Sequence, residues 1–454
     1  MAEKISRKTF WAIVALSLVS FAGIVSETSM NVTFVALMKQ FNVTLGLIQW
    51  ITTFYLFVVA CLMTTSSFLK ERFTIRQIFF TAVINFVLGG IICALAPNFW
   101  ILLLGRVFQG IATGLATPAL FNLILERIPR SVIGLWMGIA SLILSIAPSI
   151  GPTFGGLLVD TAGWRWIFII LLVLPVIALF LGIKTIEDTP RQFHQQLSFD
   201  ALAFVLLAIT LFASLMTLNS LEGGKFNLTY VVIFAIGLAL FIWRARVSKQ
   251  KFLNLAIFKN PFFTLSLLAY GLYQFANIGI NFVIPNFLQS AQGATSIEAG
   301  FALLPGSLIG ALNNPMVGRL YDKRGPKLGV YGGNLLWVAT LVIMTIFTKS
   351  LAFIPMTIAY IFFTLGRNMP FATLNTNTLD NLGSPEEKAD ANAIFQTTQQ
   401  FLGAVATTIG SLMLSNAPTS TSGTQWFLLM LLVFGLLNFG YFVLIFKKQP
   451  ARQL

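Results

Sequence analysis

GRLYDKRGPK, residues 318–327, and SFLKERFTIR, residues 67–76, are two copies of one pattern, and the distance between them decides the architecture. Each copy has an acid at its fifth position (Asp322, Glu71), a base next to it (Lys323, Arg72) and a base at its end (Lys327, Arg76). Both ends of the pattern are offset by 251 residues, and the copies follow the second and tenth apolar runs of the chain. Anchoring at a membrane surface explains charged loops in general, but it does not require the same order of acid and base twice. Repeated halves of this kind point to a transporter made of two six-helix bundles that rock about a central site.

The composition sets the class. Of 454 residues, 57% are hydrophobic and only 10% charged, against about 25% charged in soluble domains. The reading is an all-α polytopic membrane protein. Apolar runs between polar breaks give fourteen transmembrane helices, near 9–38, 46–69, 77–96, 99–125, 131–159, 164–183, 199–220, 227–243, 261–290, 295–318, 327–347, 350–378, 388–415 and 425–446. With six assigned to each repeat, residues 1–190 form an N-terminal bundle, 191–255 carry two inserted helices, and 256–454 form a C-terminal bundle. The opening MAEKISRK leads into a run too long for a signal peptide and without a small-residue cleavage site, so it reads as a retained first span.

A net charge of +14 raises the question of nucleic acid. Of the 29 Lys and Arg residues, 23 fall on the side of the termini, four on the other side, and two, Arg106 and Arg367, within spans. This is the positive-inside bias: it puts both termini in the cytoplasm, places the chain in the cytoplasmic cell membrane, makes the lipid bilayer its main partner and leaves no nucleic-acid patch to explain. Cys61 and Cys93 lie in apolar runs and the single His194 in a polar loop, so no metal, disulfide or cofactor is expected, and no cluster of catalytic groups supports an enzyme. The acids obey the same partition with one exception. Glu27 sits within the first span, in VSETSMN (25–31), where a charge costs about 2.5 to 3.5 kcal/mol on insertion scales.

Several stretches resemble the fourteen-helix drug:proton antiporters of the major facilitator superfamily, most closely the lincomycin-resistance-type exporters of Gram-positive bacteria. ETSMN (27–31) is similar to that subgroup's first-span Glu-Thr-x-x-Asn, and QWITTFYL (49–56) to its second-span signature. GRLYDKRGPK matches the superfamily's loop motif, with Gly318 and Gly325 in place, whereas in the first copy Ser67 and Thr74 stand for glycine and Glu71 for aspartate. GRVFQGIATG (105–114) resembles the fourth-span motif. GIASLILSIAPSIGPTFGG (138–156) resembles the fifth-span antiporter motif through Gly138, Gly151, Pro152, Gly155 and Gly156, with Ala147 replacing one glycine. The resemblance implies a major facilitator fold, a Gram-positive source, a monomer, and proton-coupled export of small molecules, with the loop and fifth-span residues in gating and helix contact.

The residues themselves narrow the site. Arg106, Gln109, Thr113 and Thr117 share one face of the fourth span, and Ser20, Gly23, Glu27 and Asn31 one face of the first. By orientation Glu27 and Arg106 lie at similar depth and could meet; such a pair is either a permanent tie between two helices or a switch in which Glu27 loads a proton when they part and releases it when the pair reforms or cargo competes. In the second bundle Tyr270, Gln274, Asn277 and Asn281 share a face of the ninth span, and Gln396, Gln399, Gly403 and Thr407 a face of the thirteenth. Asn313 and Asn314 interrupt the tenth, and Arg367 and Asn368 the twelfth; with Tyr55 these faces are expected to line an amphipathic cavity. Taken singly, each amide is also explained by interhelical hydrogen bonding of about 0.6 kcal/mol. One buried acid suits neutral or singly charged lipophilic cargo rather than dications, and one proton per cycle, worth about 2.3 kcal/mol per 100 mV for each charge moved. An exporter or flippase of an endogenous lipid or metabolite would use the same parts, and a membrane sensor is the more distant alternative.

Overall fold

The computed structural model of the chain describes residues 5–129, 132–187, 199–224, 226–248 and 255–449. The described residues contain no strand and fourteen long helices: α1 Arg7–Val32, α2 Leu45–Thr64, α3 Ile75–Leu95, α4 Phe99–Arg127, α5 Leu135–Thr161, α6 Arg165–Thr185, α7 Ala201–Asn219, α8 Leu228–Val247, α9 Pro261–Ala291, α10 Leu304–Arg324, α11 Pro326–Ile346, α12 Phe353–Asp380, α13 Pro385–Asn416 and α14 Ser420–Lys448. Eleven are long and apolar enough to cross a membrane by length and composition. The other three, α10, α12 and α13, have the length but carry the polar residues of the second bundle's faces.

The packing repeats as the sequence does. In the first bundle α1 packs on α4, α5 and α6, α2 on α4, and α3 on α4 and α6. In the second, α9 packs on α12, α13 and α14, α10 on α12, and α11 on α12 and α14, which is the same set eight helices on. The bundles meet through α2 against α13 and α5 against α10, again equivalent pairs.

Near the chain ends each bundle has its own core: Ala12, Leu16, Phe79 and Leu120 belong to one, and Phe263, Leu267, Ile394 and Phe395 to another. At the opposite end Phe34, Ile51, Phe282 and Phe287 form a single shared core. Cross-bundle hydrogen bonds gather there too: Asn286 Nδ2 donates to Asn31 O (3.5 Å), Gln289 Nε2 to Val32 O (3.2 Å), Thr153 Oγ1 to Gly300 O (3.3 Å), and Asp160 Oδ2 accepts from Ile297 N (2.8 Å). The bundles are closed on each other away from the termini and separate toward them.

Three local features differ from the sequence reading. The first span ends at Val32 in a 3₁₀ turn, because Thr28 and Thr33 hydroxyls bond back to Ile24 O and Met30 O and tighten the helix. The run at 295–318 divides into a short helix, Ser296–Phe301, and α10. GRLYDKRGPK is helical to Arg324 rather than a loop, with the reversal confined to Gly325 at φ 71° before Pro326 opens α11. Glycine fits that left-handed turn. Thr74, its counterpart, sits at φ −71° and caps α3 reciprocally with Gln77, so the first copy turns without a glycine.

The inserted pair is asymmetric. α8 packs mainly on α7, whereas α7 touches α2 and α13, one helix from each bundle. The tip after α7 reinforces this: Asn219 Oδ1 accepts from Trp50 Nε1 (3.2 Å), and Leu221 O from Asn416 Nδ2 (3.1 Å). Burial pushes the Glu222 carboxyl up, against hydrogen bonds from Ser415 and the Gly46 N–H. The domain divisions after 190 and 255 fall in or beside stretches outside the described residues, as does His194.

Candidate functional site

The crossing of α1 and α4 builds the first half of the site. A Cβ on Gly23 would stand 2.0 Å from Thr113 Oγ1, so the two polar faces meet at backbone distance. There Arg106, fully buried, donates from Nη1 to Ser26 Oγ (2.8 Å) and Gln109 Oε1 (2.7 Å), and from Nε to Ile51 O (3.1 Å) on α2. Its guanidinium carbon lies 4.2 Å from the centre of the Tyr55 ring, and the Tyr55 hydroxyl is 2.8 Å from Thr113 Oγ1 and 3.0 Å from Gly23 O. Charge-assisted bonds of this kind contribute about 1.5 to 3 kcal/mol each and offset the desolvation of the guanidinium.

Glu27 is buried in the same layer, yet its side chain forms no hydrogen bond or ion pair among the described residues. In place of a contact with Glu27, Arg106 makes one with Ser26. Successive helical residues point about 100° apart, and α1 turns Gly23 and Ser26 toward α4, which carries Glu27 past the guanidinium. Arg106 reaches Glu27 only through its field, and Tyr55 feels both. One turn further, Asn31 is buried and meets Asn286 of α9 through its backbone. Ser26 is the residue the sequence analysis missed. Its signal was its place in a polar run, one position off the chosen stripe.

The second half lies in the C-terminal bundle. Tyr270 Oη donates to Gln399 Oε1 (2.8 Å) and Tyr360 Oη to Asn281 Oδ1 (2.7 Å), while Arg367 donates to Asn368 and lies 5.1 Å from the Phe371 ring centre. Gln274, Asn277, Asn313 and Gln396 have no side-chain hydrogen bond among the described residues. Tyr360, seven residues before Arg367 and so on its face, was also missed.

The glycines of the fifth span divide by neighbour. A Cβ on Gly151 would meet Thr28 Oγ1 at 1.9 Å, and one on Gly155 would meet Ser29 O at 2.5 Å, so both face α1. One on Gly156 would meet Ser296 O across the bundles at 2.2 Å, and the Pro152 carbonyl presses on Gly300. Gly138 and Gly318 border open space. Glu71, Arg72, Asp322, Lys323 and Lys327 are exposed and in no ion pair among the described residues, while Arg76 lies over Phe80.

Two equivalent bundles that enclose a buried polar layer, closed at one end and parted at the other, define a membrane transporter. The chain belongs to the major facilitator superfamily, whose profile it matches over residues 16–408. It is 34% identical to lincomycin resistance protein LmrB of Bacillus subtilis over 403 residues, 87% of this chain and 83% of that protein. It is 31% identical to a protein of the same name in Listeria monocytogenes over 407 residues, 89% and 86% of the two chains. The fold is similar to that of a bacterial homologue of the human lysosomal transporter Spinster, in an inward-facing and unoccupied conformation, with a TM-score of 0.68 at 14% identity over 99% of this chain and 100% of the other. The family and fold are those of transporters, not enzymes.

Arg106→Lys tests the first half-site. A single ammonium cannot hold Ile51 O, Ser26 and Gln109 together in the planar arrangement that guanidinium allows. A loss of about 2 to 4 kcal/mol is expected from the bonds forfeited, read as a lower unfolding temperature of the purified protein in detergent.

Proposed function

We propose that the chain is an antiporter that exports lipophilic small molecules from the cytoplasm in exchange for protons, with Glu27 carrying the proton. The observation that supports this reading is the carboxylate itself: buried near the end of α1 away from the termini, without a direct partner among the described residues, and next to Ser26, which holds the Arg106 guanidinium. A structural ion pair would have closed on Arg106; a buried acid left unpaired suits reversible protonation. In this reading Arg106 positions Ser26 and Gln109 and sets the local field rather than exchanging partners with Glu27.

The charge bias supports cytoplasmic termini, and the likeness to lincomycin resistance proteins of Bacillus and Listeria supports the cell membrane of a Gram-positive bacterium, with a single chain taken as the working unit. In that orientation the parted end opens to the cytoplasm, and the exposed charges at Glu71, Arg72, Asp322 and Lys323 belong to a gate that is open in this state. Asn31 on one side and the amide faces of α9 and α13 on the other would surround the cargo, with Tyr55, Gln109 and Thr113, locked between α1, α2 and α4, backing that surface.

The test is drug-dependent proton movement in proteoliposomes of the native protein under an imposed pH gradient, with a panel of neutral, anionic and cationic lipophilic drugs. Proton flux that appears with drug and saturates with its concentration is expected. Drug movement that persists unchanged when the proton gradient is collapsed would overturn proton coupling.

A further inference from the structure

Arg367 differs from Arg106 in how its charge is met. It is 6% exposed, and its one hydrogen bond goes to its neighbour Asn368; Nε and Nη1 have no partner among the described residues. α12 turns Gly366 to Trp337 of α11 and Asn368 to Gly310 of α10, so Arg367 emerges between those contacts, toward α9. There Tyr270 stacks on Phe371 at 4.5 Å, beside the guanidinium.

Among the described residues Arg367 forms no ion pair, and the groups whose charge or dipole acts on it, Tyr360, Tyr270 and Tyr273, include no carboxylate. Each tyrosine directs its hydroxyl proton to an amide, Asn281, Gln399 or Asn334, with Tyr273 Oη at 2.5 Å from Asn334 Oδ1. These bonds fix the rings as walls. A buried cation with unsatisfied donors and no counterion is costly unless something brings an acceptor to it. Tying helices together does not account for it, since its single bond stays within α12.

We infer that Arg367, walled by Tyr270, Tyr273, Tyr360 and Phe371, receives an anionic group of the transported molecule. The cargo is then a lipophilic acid: an aromatic or aliphatic body bearing one carboxylate, sulfonate or phosphate. A cationic molecule would be repelled by both buried arginines. A neutral acceptor would satisfy one donor and leave the charge unbalanced, whereas an oxyanion makes charge-assisted bonds about twice as strong. The inference rests on the export reading above and narrows its cargo class from neutral or singly charged to singly negative.

A matched pair of probes tests it: 8-anilinonaphthalene-1-sulfonate and the neutral N-phenyl-1-naphthylamine, measured by equilibrium dialysis against the full-length protein in nanodiscs, with empty nanodiscs subtracted. The native protein is expected to bind the sulfonate at least about tenfold more tightly than the amine, by the strength of a charge-assisted pair. Arg367→Gln should abolish that preference while changing the amine's affinity less than about threefold, and Arg367→Lys should keep part of it. A native protein without the preference overturns the inference and needs no variant, so a variant that fails to fold does not shield it. Arg367→Gln that discriminates as native does also overturns it. Displacement of the sulfonate by added phosphatidylglycerol, with no sulfonate moved in proteoliposomes, would make this a lipid-headgroup site and overturn the cargo assignment. A preference that depends on Arg367 supports the site even where neither probe moves protons, and in that case it is the export reading that fails.

Discussion

Glu27→Gln is expected to give a folded protein that still binds drug and no longer couples its movement to protons. The amide keeps the shape of the carboxyl and cannot ionise. Because Glu27 forms no hydrogen bond or ion pair among the described residues, its replacement breaks no contact, and the protein should unfold at the native temperature or slightly above it. An ionised carboxylate at this depth carries a desolvation penalty that no direct bond offsets, only the field of Arg106, and the amide carries no charge to desolvate. Coupling should fall at least about a hundredfold, since a sole carrier leaves no alternative route for the proton. Drug counterflow without a gradient, which needs the bundles to rock but no proton, should persist. Glu27→Asp, shorter by one methylene but still titratable, is expected to retain coupling at a reduced rate. Normal drug-linked proton flux in Glu27→Gln would remove Glu27 from the pathway and leave it as a residue that shapes the cavity.

The fold was legible because the features that determine it are coarse. An offset of 251 residues between two charged segments reappears as helix packing that repeats eight helices on. Span number followed from apolar length, although α10, α12 and α13 are polar enough that composition alone does not mark them as spans. The site was legible as faces and not as pairs. Periodicity put Arg106, Gln109 and Thr113 on one side of α4, where they are buried together. It could not say that Ser26 rather than Glu27 would reach the guanidinium, because that depends on a rotation of about 100° per residue and on where Gly23 lets α1 touch α4. The same limit applied to the fifth-span motif. Its glycines read as one helix interface, yet Gly155 and Gly156, adjacent in sequence, face a neighbour within the bundle and a neighbour across it.

That division makes Gly156→Ala a substitution that acts on the closed end alone. The atoms its methyl would strike are backbone: Ser296 O at 2.2 Å, Ser296 C at 2.6 Å and Ile297 Cα at 2.8 Å. They cannot rotate away as a side chain can, and the short helix Ser296–Phe301 is held in place by Asp160 on Ile297 N and by Pro152 O against Gly300. The methyl therefore has to pry the bundles apart at the end where they close. Overpacking of this kind costs about 1 to 3 kcal/mol, all of it charged to the closed arrangement, and each 1.4 kcal/mol shifts a two-state ratio about tenfold. Gly156→Ala should accordingly move the population toward the form open at this end and suppress transport, with the separate cores of the two bundles intact. Electron–electron resonance between spin labels at Leu157 and Ile354, exposed residues of α5 and α12, should show a longer distance than in the native protein. Gly155→Ala supplies the contrast. Its methyl meets Ser29 within the first bundle, so it should lower the unfolding temperature and leave that distance unchanged. Gly138→Ala, with nothing within 4 Å, should do neither. If Gly156→Ala keeps both the native distance and native transport, the contact between α5 and the short helix does not hold the closed end, and the closure must be carried by α2 against α13.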